Sequence, residues 1–215
     1  RGGLSGDDGP THHGLFDIAY LRGVPNIVQM APTDEDELAD MMLTAAQHAG
    51  PSAIRYPRGT GPGTTVKEKP QPIPLGQGVV VQEGEEVAIL GLGALLPLAR
   101  ELARVLGEQG YSAAVINPRF IKPLDRKLLA RYAQRAMAVV TFEDGVLAGG
   151  FGSAVMEALS EMGIEKPVVR IGWPDRFIEH GKVDQLRARH GVSVEAALEK
   201  LNPHLKRTAG RLVAQ

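Results

Sequence analysis

Beyond residue 78, the chain alternates between short, nearly continuous apolar runs and longer segments whose apolar residues lie three or four positions apart. Continuous runs are typical of buried strands, and the wider spacing is typical of helices that bury one face. The apolar runs lie at 86–91, 112–117, 138–142 and 168–172, and the helical segments at 94–109, 125–136 and 153–162. Strands that alternate with helices predict an α/β fold with a mostly parallel, doubly wound sheet.

Two local signals refine this part of the chain. The runs at 78–82 and 86–91 are separated by Glu83 and Gly84, which is the spacing of a β-hairpin whose first strand lies at a sheet edge. Asp125 stands directly before a helical segment, and we expect it to be the N-cap.

The pattern before residue 60 is shorter. A strand is predicted at 26–31, then a helix with Thr33 as N-cap, and then a second strand at 52–57. The apolar face of this helix is predicted to comprise Leu38, Met41, Met42 and Ala45. Two strands and two helices are too few to cover both faces of a parallel sheet, so this unit is expected to be incomplete.

The segment 59–78 contains five glycines and four prolines with almost no periodic apolar residues. Such a composition is typical of an extended interdomain linker. We therefore predict one unit at 1–60, a linker at 61–78 and a second unit at 79–215.

Composition narrows the possible functions. Lys and Arg number 24 against 25 Asp and Glu, a net charge of -1, so no long-range field would attract nucleic acid or an anionic membrane. The absence of cysteine excludes disulfides and thiolate chemistry, and no apolar run is long enough to span a bilayer. The expected location is the bacterial cytoplasm. Because the chain opens at Arg1 directly in a glycine-rich loop, we expect a fragment of a longer protein.

The loop Asp8-Gly-Pro-Thr-His12-His13-Gly14 carries the strongest chemical signal. A carboxylate that accepts a hydroxyl and an imidazole that titrates near neutral pH suit an aldehyde or a sugar phosphate. The alternative is a capping loop, in which Asp8 and Thr11 cap a helix that starts near Gly14.

The segment Arg55-Tyr-Pro-Arg58-Gly places two guanidinium groups at the carboxyl end of a predicted strand, the edge where open α/β sheets bind ligands. Arg58 is the best candidate to bind an anion such as phosphate. The alternative is a solvated pair at an exposed strand end. Arg55 fits that alternative better, with its side chain pointing sideways and Tyr56 packing beside it.

Two further motifs stay open or are dismissed. The segment Gly149-Gly-Phe-Gly152 precedes a helix, where its amides could cradle an anion or simply allow close packing. Apart from the adjacent His12 and His13, the histidines have no metal-ligand spacing, so a metal site in this chain is not expected.

Several segments together resemble the 1-deoxy-D-xylulose-5-phosphate synthase family of transketolase-like enzymes. They are Asp8-Gly-Pro-Thr-His-His-Gly, Tyr20-Leu-Arg-Gly-Val-Pro-Asn, Met30-Ala-Pro-Thr-Asp-Glu, Arg55-Tyr-Pro-Arg-Gly, Asn117-Pro-Arg-Phe-Ile-Lys-Pro-Leu-Asp125 and Gly172-Trp-Pro-Asp-Arg-Phe-Ile-Glu-His-Gly181. The likeness extends to about Leu205. It implies that residues 1–60 are the second half of a pyrimidine-binding domain and that residues from 79 onward are a transketolase C-terminal domain.

The resemblance also implies an activity. The family uses thiamine diphosphate and Mg²⁺ to join pyruvate with D-glyceraldehyde 3-phosphate, releasing CO₂ and 1-deoxy-D-xylulose 5-phosphate for isoprene and thiamine biosynthesis. The resemblance further implies a homodimer. By resemblance, Asp8 and His12 contact the acceptor hydroxyl and carbonyl, while Arg58 and, more weakly, Arg1 hold its phosphate. The cofactor and metal ligands of the family lie upstream, so none is assigned in this chain.

Three alternatives stay open. Transketolase shares the Asp8–His12 loop but does not usually carry the 119–125 segment. The beta subunits of 2-oxoacid dehydrogenases resemble Pro123-Leu-Asp125 but lack the loop. The third is a noncatalytic body that serves dimerisation or regulation. By itself, this chain is expected to be inactive.

Overall fold

The computed structural model describes residues 2–205, which form two sheets of mixed α/β organisation. The strands are β1 (Val28–Met30), β2 (Ser52–Ile54), β3 (Val79–Gln82), β4 (Val87–Gly91), β5 (Ala113–Asn117), β6 (Phe120–Lys122), β7 (Ala138–Val146) and β8 (Val168–Trp173). The helices are α1 (Asp17–Arg22), α2 (Glu35–Gln47), α3 (Leu96–Glu108), α4 (Arg126–Arg135), α5 (Phe151–Glu161), α6 (Val183–His190) and α7 (Val194–Leu201).

The larger sheet has the order β3-β5-β4-β7-β8, and all its strands are parallel except the edge strand β3. The predicted doubly wound α/β sheet is therefore confirmed. The predicted hairpin is wrong, because β3 pairs with β5 and β4 lies between β5 and β7. Gly84 explains the difference: a Cβ there would lie 2.2 Å from the carbonyl carbon of Ala113, so the connection crosses the start of β5.

Both faces of the larger sheet are covered. Helices α3 and α7 pack on one face, through residues such as Leu102 and Ala197, and α4 and α5 pack on the other, through residues such as Leu129 and Val155. The apolar core between the larger sheet and helices α3 and α7 also contains Leu4, which lies in the loop that precedes α1. The amino-terminal loop is thus anchored in the core of the carboxyl-terminal half.

The smaller sheet has the order β2-β1-β6. Strands β1 and β2 are parallel, as expected of strands joined by a helix, and β6 is antiparallel to β1. Strand β6 was not predicted, because it is only three residues long and directly precedes Pro123. It comes from the carboxyl-terminal half of the chain, so the two halves share this sheet. The division at 1–60, 61–78 and 79–215 stays a prediction.

Helix α2 begins one residue later than predicted. Its N-cap is Asp34, whose carboxylate accepts from the Glu37 amide at 2.8 Å, and not Thr33. The Glu37 carboxylate accepts from the amide and hydroxyl of Thr33, which holds Thr33 just outside the helix. The predicted N-cap of α4, Asp125, is confirmed, since its carboxylate accepts from the Leu128 amide at 2.9 Å.

The buried face of α2 is more polar than predicted. Met42, assigned to the apolar face, is 57% exposed, whereas Asp40 and Thr44 are buried. These polar groups are buried because the segment 61–78 runs along them. Lys67 Nζ lies 2.6 Å from Asp40, and the Ile73 amide donates to the Thr44 hydroxyl at 2.8 Å.

Within residues 2–205, no helix combines the length and the apolar character needed to cross a membrane.

Candidate active site

A closed loop carries the predicted acid and imidazole groups, and we call residues 3–14 the acid–imidazole loop. Gly3 and Gly14 exchange two backbone hydrogen bonds of 2.7 and 2.8 Å, which close the loop at its base. A 3₁₀ turn spans Gly6–Asp8, and the flanking Gly9 has φ of 76°, a conformation that favours glycine. The glycines of this segment therefore shape a closed loop.

His13 anchors the acid–imidazole loop from inside. Its Nδ1 accepts from the Ser5 amide at 3.1 Å, so the ring proton lies on Nε2, which donates to the carbonyl of Glu179 at 3.4 Å. The Ser5 hydroxyl in turn donates to the His12 carbonyl at 2.8 Å. Of the two histidines, His13 is therefore structural and His12 faces solvent.

The structure brings Asp8 and Arg58 together. Arg58 Nη1 forms an ion pair with the Asp8 carboxylate, although fifty positions separate them in the sequence. The side chains are 47% and 26% exposed, so both remain accessible to a ligand. The capping alternative is wrong, because α1 begins only at Asp17 and its N-cap, Phe16, makes no side-chain cap.

His12 lies in the same loop as Asp8. Its amide donates to the Gly9 carbonyl at 3.0 Å, and its Nδ1 lies 3.0 Å from the Thr11 hydroxyl. When that hydroxyl donates to Nδ1, the imidazole proton lies on Nε2 and can be donated to a ligand. The fourth predicted site residue, Arg1, lies outside the described residues.

Arg55 has a different role from the one predicted. Its side chain is only 10% exposed, and it donates to both carboxylate oxygens of Asp17 at 2.7 and 3.2 Å. It also donates to the carbonyls of Gly14 and Asp144. The interpretation as a solvated strand end is wrong, because the side chain enters the space between α1 and β7. Tyr56, expected to pack, is 51% exposed.

The Gly149–Gly152 segment does cradle an acidic group, and that group is the carboxyl of the chain's own Glu143. The amides of Phe151 and Gly152 donate to the two Glu143 oxygens at 2.6 and 2.8 Å. The Glu143 side chain is fully buried in β7. A Cβ at Gly152 would also lie 2.7 Å from Thr141 Oγ1, so close packing and carboxyl binding both account for this glycine segment.

Burial raises the pKa of Glu143 to about 7 from 4.5, and the two amide hydrogen bonds only partly oppose this. Because the pKa is higher in the folded than in the unfolded state, the unfolded state loses its proton first as the pH rises. Stability from this group is therefore highest below about pH 4.5, falls between pH 4.5 and 7, and is constant above.

We predict that Glu143→Gln removes this pH dependence. Between pH 4.5 and 7 the unmodified protein should lose about 3 kcal/mol of unfolding free energy that the variant does not lose. Urea unfolding across this range measures the difference, with the exposed Glu85→Gln as the control. Parallel curves for the unmodified protein and Glu143→Gln would contradict the assignment.

Comparisons with known proteins agree with this architecture. The family described as "Transketolase, C-terminal domain" matches residues 76–196, and the family described as "Transketolase, pyrimidine binding domain" matches residues 1–63.

Relatives named 1-deoxy-D-xylulose-5-phosphate synthase share high identity with the chain. The protein of Acidobacterium capsulatum is 71% identical over 209 residues, covering 97% of this chain and 33% of the relative. That of Methylacidiphilum infernorum is 61% identical over 200 residues, covering 93% and 32%. The chain thus spans about a third of the length of these relatives.

A solved structure has the same fold over most of the chain. Its title is "Split gene transketolase, inactive beta4 tetramer". It is 33% identical, has a TM-score of 0.81, and the match covers 91% of this chain and 63% of that one.

Proposed function

This chain belongs to the transketolase family, and on that premise we propose that it forms part of a 1-deoxy-D-xylulose-5-phosphate synthase. The reaction joins pyruvate with D-glyceraldehyde 3-phosphate and releases CO₂ and 1-deoxy-D-xylulose 5-phosphate, which serves isoprene and thiamine biosynthesis. The observation that carries the proposal is the ion pair that joins Arg58, which follows β2, to Asp8 in the acid–imidazole loop that also bears His12.

The chemistry of the acceptor matches these three side chains. D-Glyceraldehyde 3-phosphate carries an aldehyde, a hydroxyl and a phosphate on three adjacent carbons. A guanidinium has five N–H donors, so Arg58 can pair with Asp8 and still bind phosphate oxygens. We assign the phosphate to Arg58, the hydroxyl to Asp8 and the aldehyde oxygen to Nε2 of His12. Arg1 is proposed as a second phosphate ligand.

The cofactor of the proposed synthase is thiamine diphosphate with Mg²⁺. When bound, it supplies the electron sink for the decarboxylation of pyruvate. Among residues 2–205, no group of three or more His, Asp or Glu side chains could hold a metal ion. We therefore propose that the ligands of Mg²⁺ and of the diphosphate belong to the remainder of the parent protein, and that residues 2–205 act on the acceptor alone.

Membership of the transketolase family also suggests what this chain associates with. We propose that the upstream part of the same protein associates with this chain, since the relatives are about three times as long. We further propose a cytoplasmic homodimer. Transketolase is the leading alternative activity, and the 71% identity to a named synthase, against 33% to a transketolase structure, favours the synthase.

We predict that the chain by itself has neither cofactor affinity nor activity, because its described residues provide no set of metal ligands. Titration calorimetry of residues 1–215 with thiamine diphosphate and Mg²⁺ should give no binding heat, while the complete protein should bind. Tight binding by residues 1–215 would contradict this proposal.

The proposal itself is tested with Arg58→Ala in the complete protein. Loss of a charged hydrogen bond to phosphate should raise KM for D-glyceraldehyde 3-phosphate about 10- to 100-fold and change KM for pyruvate less than about threefold. Arg126→Ala is a matched control, since Arg126 is also 47% exposed and ion-paired, in its case with Glu161. Equal changes in both KM values would refute the phosphate role.

A further inference from the structure

Asp144 is a buried carboxylate that the proposed mechanism does not use. It follows Glu143 in β7 and is 4% exposed. Its Oδ1 accepts from Trp173 Nε1 at 2.7 Å, and its Oδ2 lies 3.4 Å from Arg187 Nη2. Both partners belong to the carboxyl-terminal half, and Arg187 compensates the buried charge.

The Asp144 carboxylate also binds the base of the acid–imidazole loop. Oδ1 accepts from the Leu4 amide at 3.3 Å, and a Cβ at Gly3 would lie only 2.2 Å from Oδ2. The loop backbone can thus approach the carboxylate because residue 3 is glycine. Asp8 lies four residues beyond Leu4, in the same closed loop.

The backbone of Asp144 binds Arg55, which lies in the segment that carries Arg58. Its carbonyl accepts from Arg55 Nη2 at 2.9 Å. Arg55 precedes Arg58 by three residues, so its anchoring fixes where the chain leaves β2. A single residue of β7 thereby holds the segments that carry Asp8 and Arg58.

We infer that Asp144 is a positioning residue for the acceptor site: its carboxylate, through the Leu4 amide, holds the loop that carries Asp8 at the distance from Arg58 that binds the acceptor. The Arg55 contact is made by the Asp144 carbonyl, so it persists when the side chain is replaced. The inference rests on the proposed function. Small misplacements of binding groups have large kinetic effects, so loss of this anchor should weaken acceptor binding without a comparable effect on pyruvate.

The experiment uses the complete protein and the ratio of KM for D-glyceraldehyde 3-phosphate to KM for pyruvate. Asp144→Ala should raise the ratio about tenfold or more. Asp144→Asn should keep the ratio within about threefold of the unmodified value, because an amide oxygen at Oδ1 still accepts from Leu4 and Trp173. The lost ion pair with Arg187 should lower stability and leave the ratio of the two KM values in place. Trp173→Phe removes a donor to the same oxygen but leaves the Leu4 bond, and should leave the ratio unchanged.

Gly3→Ala displaces the same contact from the loop side and should raise the ratio as Asp144→Ala does. If Asp144→Ala does not fold, Gly3→Ala tests whether the contact between Asp144 and the loop affects acceptor binding. If Arg58→Ala raises the ratio and neither Asp144→Ala nor Gly3→Ala does, the inference is overturned and the proposed function stands. If Arg58→Ala also leaves the ratio unchanged, the proposed function fails with it.

Discussion

Replacing His12 with Ala in the complete protein should lower the rate of 1-deoxy-D-xylulose 5-phosphate formation about 100-fold or more. The exposed ring stands on a loop fixed by the Gly9 carbonyl and the Ser5 hydroxyl, so the substitution removes the imidazole without disturbing the backbone. We propose that Nε2 donates its proton to the aldehyde oxygen as the carbon–carbon bond forms. Because His12 acts on the acceptor, its loss should slow the release of CO₂ from pyruvate alone much less than it slows synthesis.

Two assays separate these steps for His12→Ala. Release of CO₂ from pyruvate alone should fall less than about tenfold, while synthesis with the acceptor falls by the larger factor. His204→Ala, which removes another exposed histidine, should change neither rate. Unchanged synthesis by His12→Ala would remove this residue from the site.

Arg55→Ala should cause the largest loss of stability. The variant leaves Asp17, itself only 15% exposed, without its bidentate partner, and it removes the donors to the carbonyls of Gly14 and Asp144. Removing one member of a buried pair costs about 3–5 kcal/mol, since an uncompensated charge stays in a poorly solvated place.

Urea unfolding measures the Arg55 effect. Arg104→Ala is the control, because Arg104 pairs with Glu101 on the exposed surface of α3, where solvent screens the ion pair and its loss should change stability far less. The double variant Arg55→Met with Asp17→Asn should be more stable than Arg55→Ala, since it leaves no unpaired charge. A cost for Arg55→Ala no larger than that for Arg104→Ala would show that the buried contacts of Arg55 do not stabilise the fold.

Periodicity predicted the carboxyl-terminal half well because its strands are buried on both faces and its helices on one. Periodicity did not predict which strands pair, because strand pairing depends on residues far apart in the sequence. The turn at Gly84 has hairpin spacing, yet the neighbour of β3 is β5, which begins at Ala113. The polar buried face of α2 likewise depends on the extended segment that covers it, and no local pattern reports that contact.

The candidate site divides in the same way. Asp8, His12 and Arg58 could be selected from the sequence because their residue types and the strand-end rule point to ligand binding. The Asp8–Arg58 ion pair and the anchoring role of Arg55 involve contacts between residues far apart in the sequence, so the structure was needed to find them. One signal for the rest was available: Glu143 and Asp144 are adjacent carboxylates that directly follow an apolar run, and carboxylates in such runs are rarely buried without a partner.

We propose that Arg58 recognises the phosphate of a small aldehyde whose other groups meet Asp8 and His12. The most direct test compares kcat/KM for D-glyceraldehyde 3-phosphate and for unphosphorylated D-glyceraldehyde, in the unmodified complete protein and in Arg58→Ala. We predict a fall of about 10- to 100-fold for the phosphorylated acceptor and less than about threefold for the other. An equal fall for both acceptors would contradict the account.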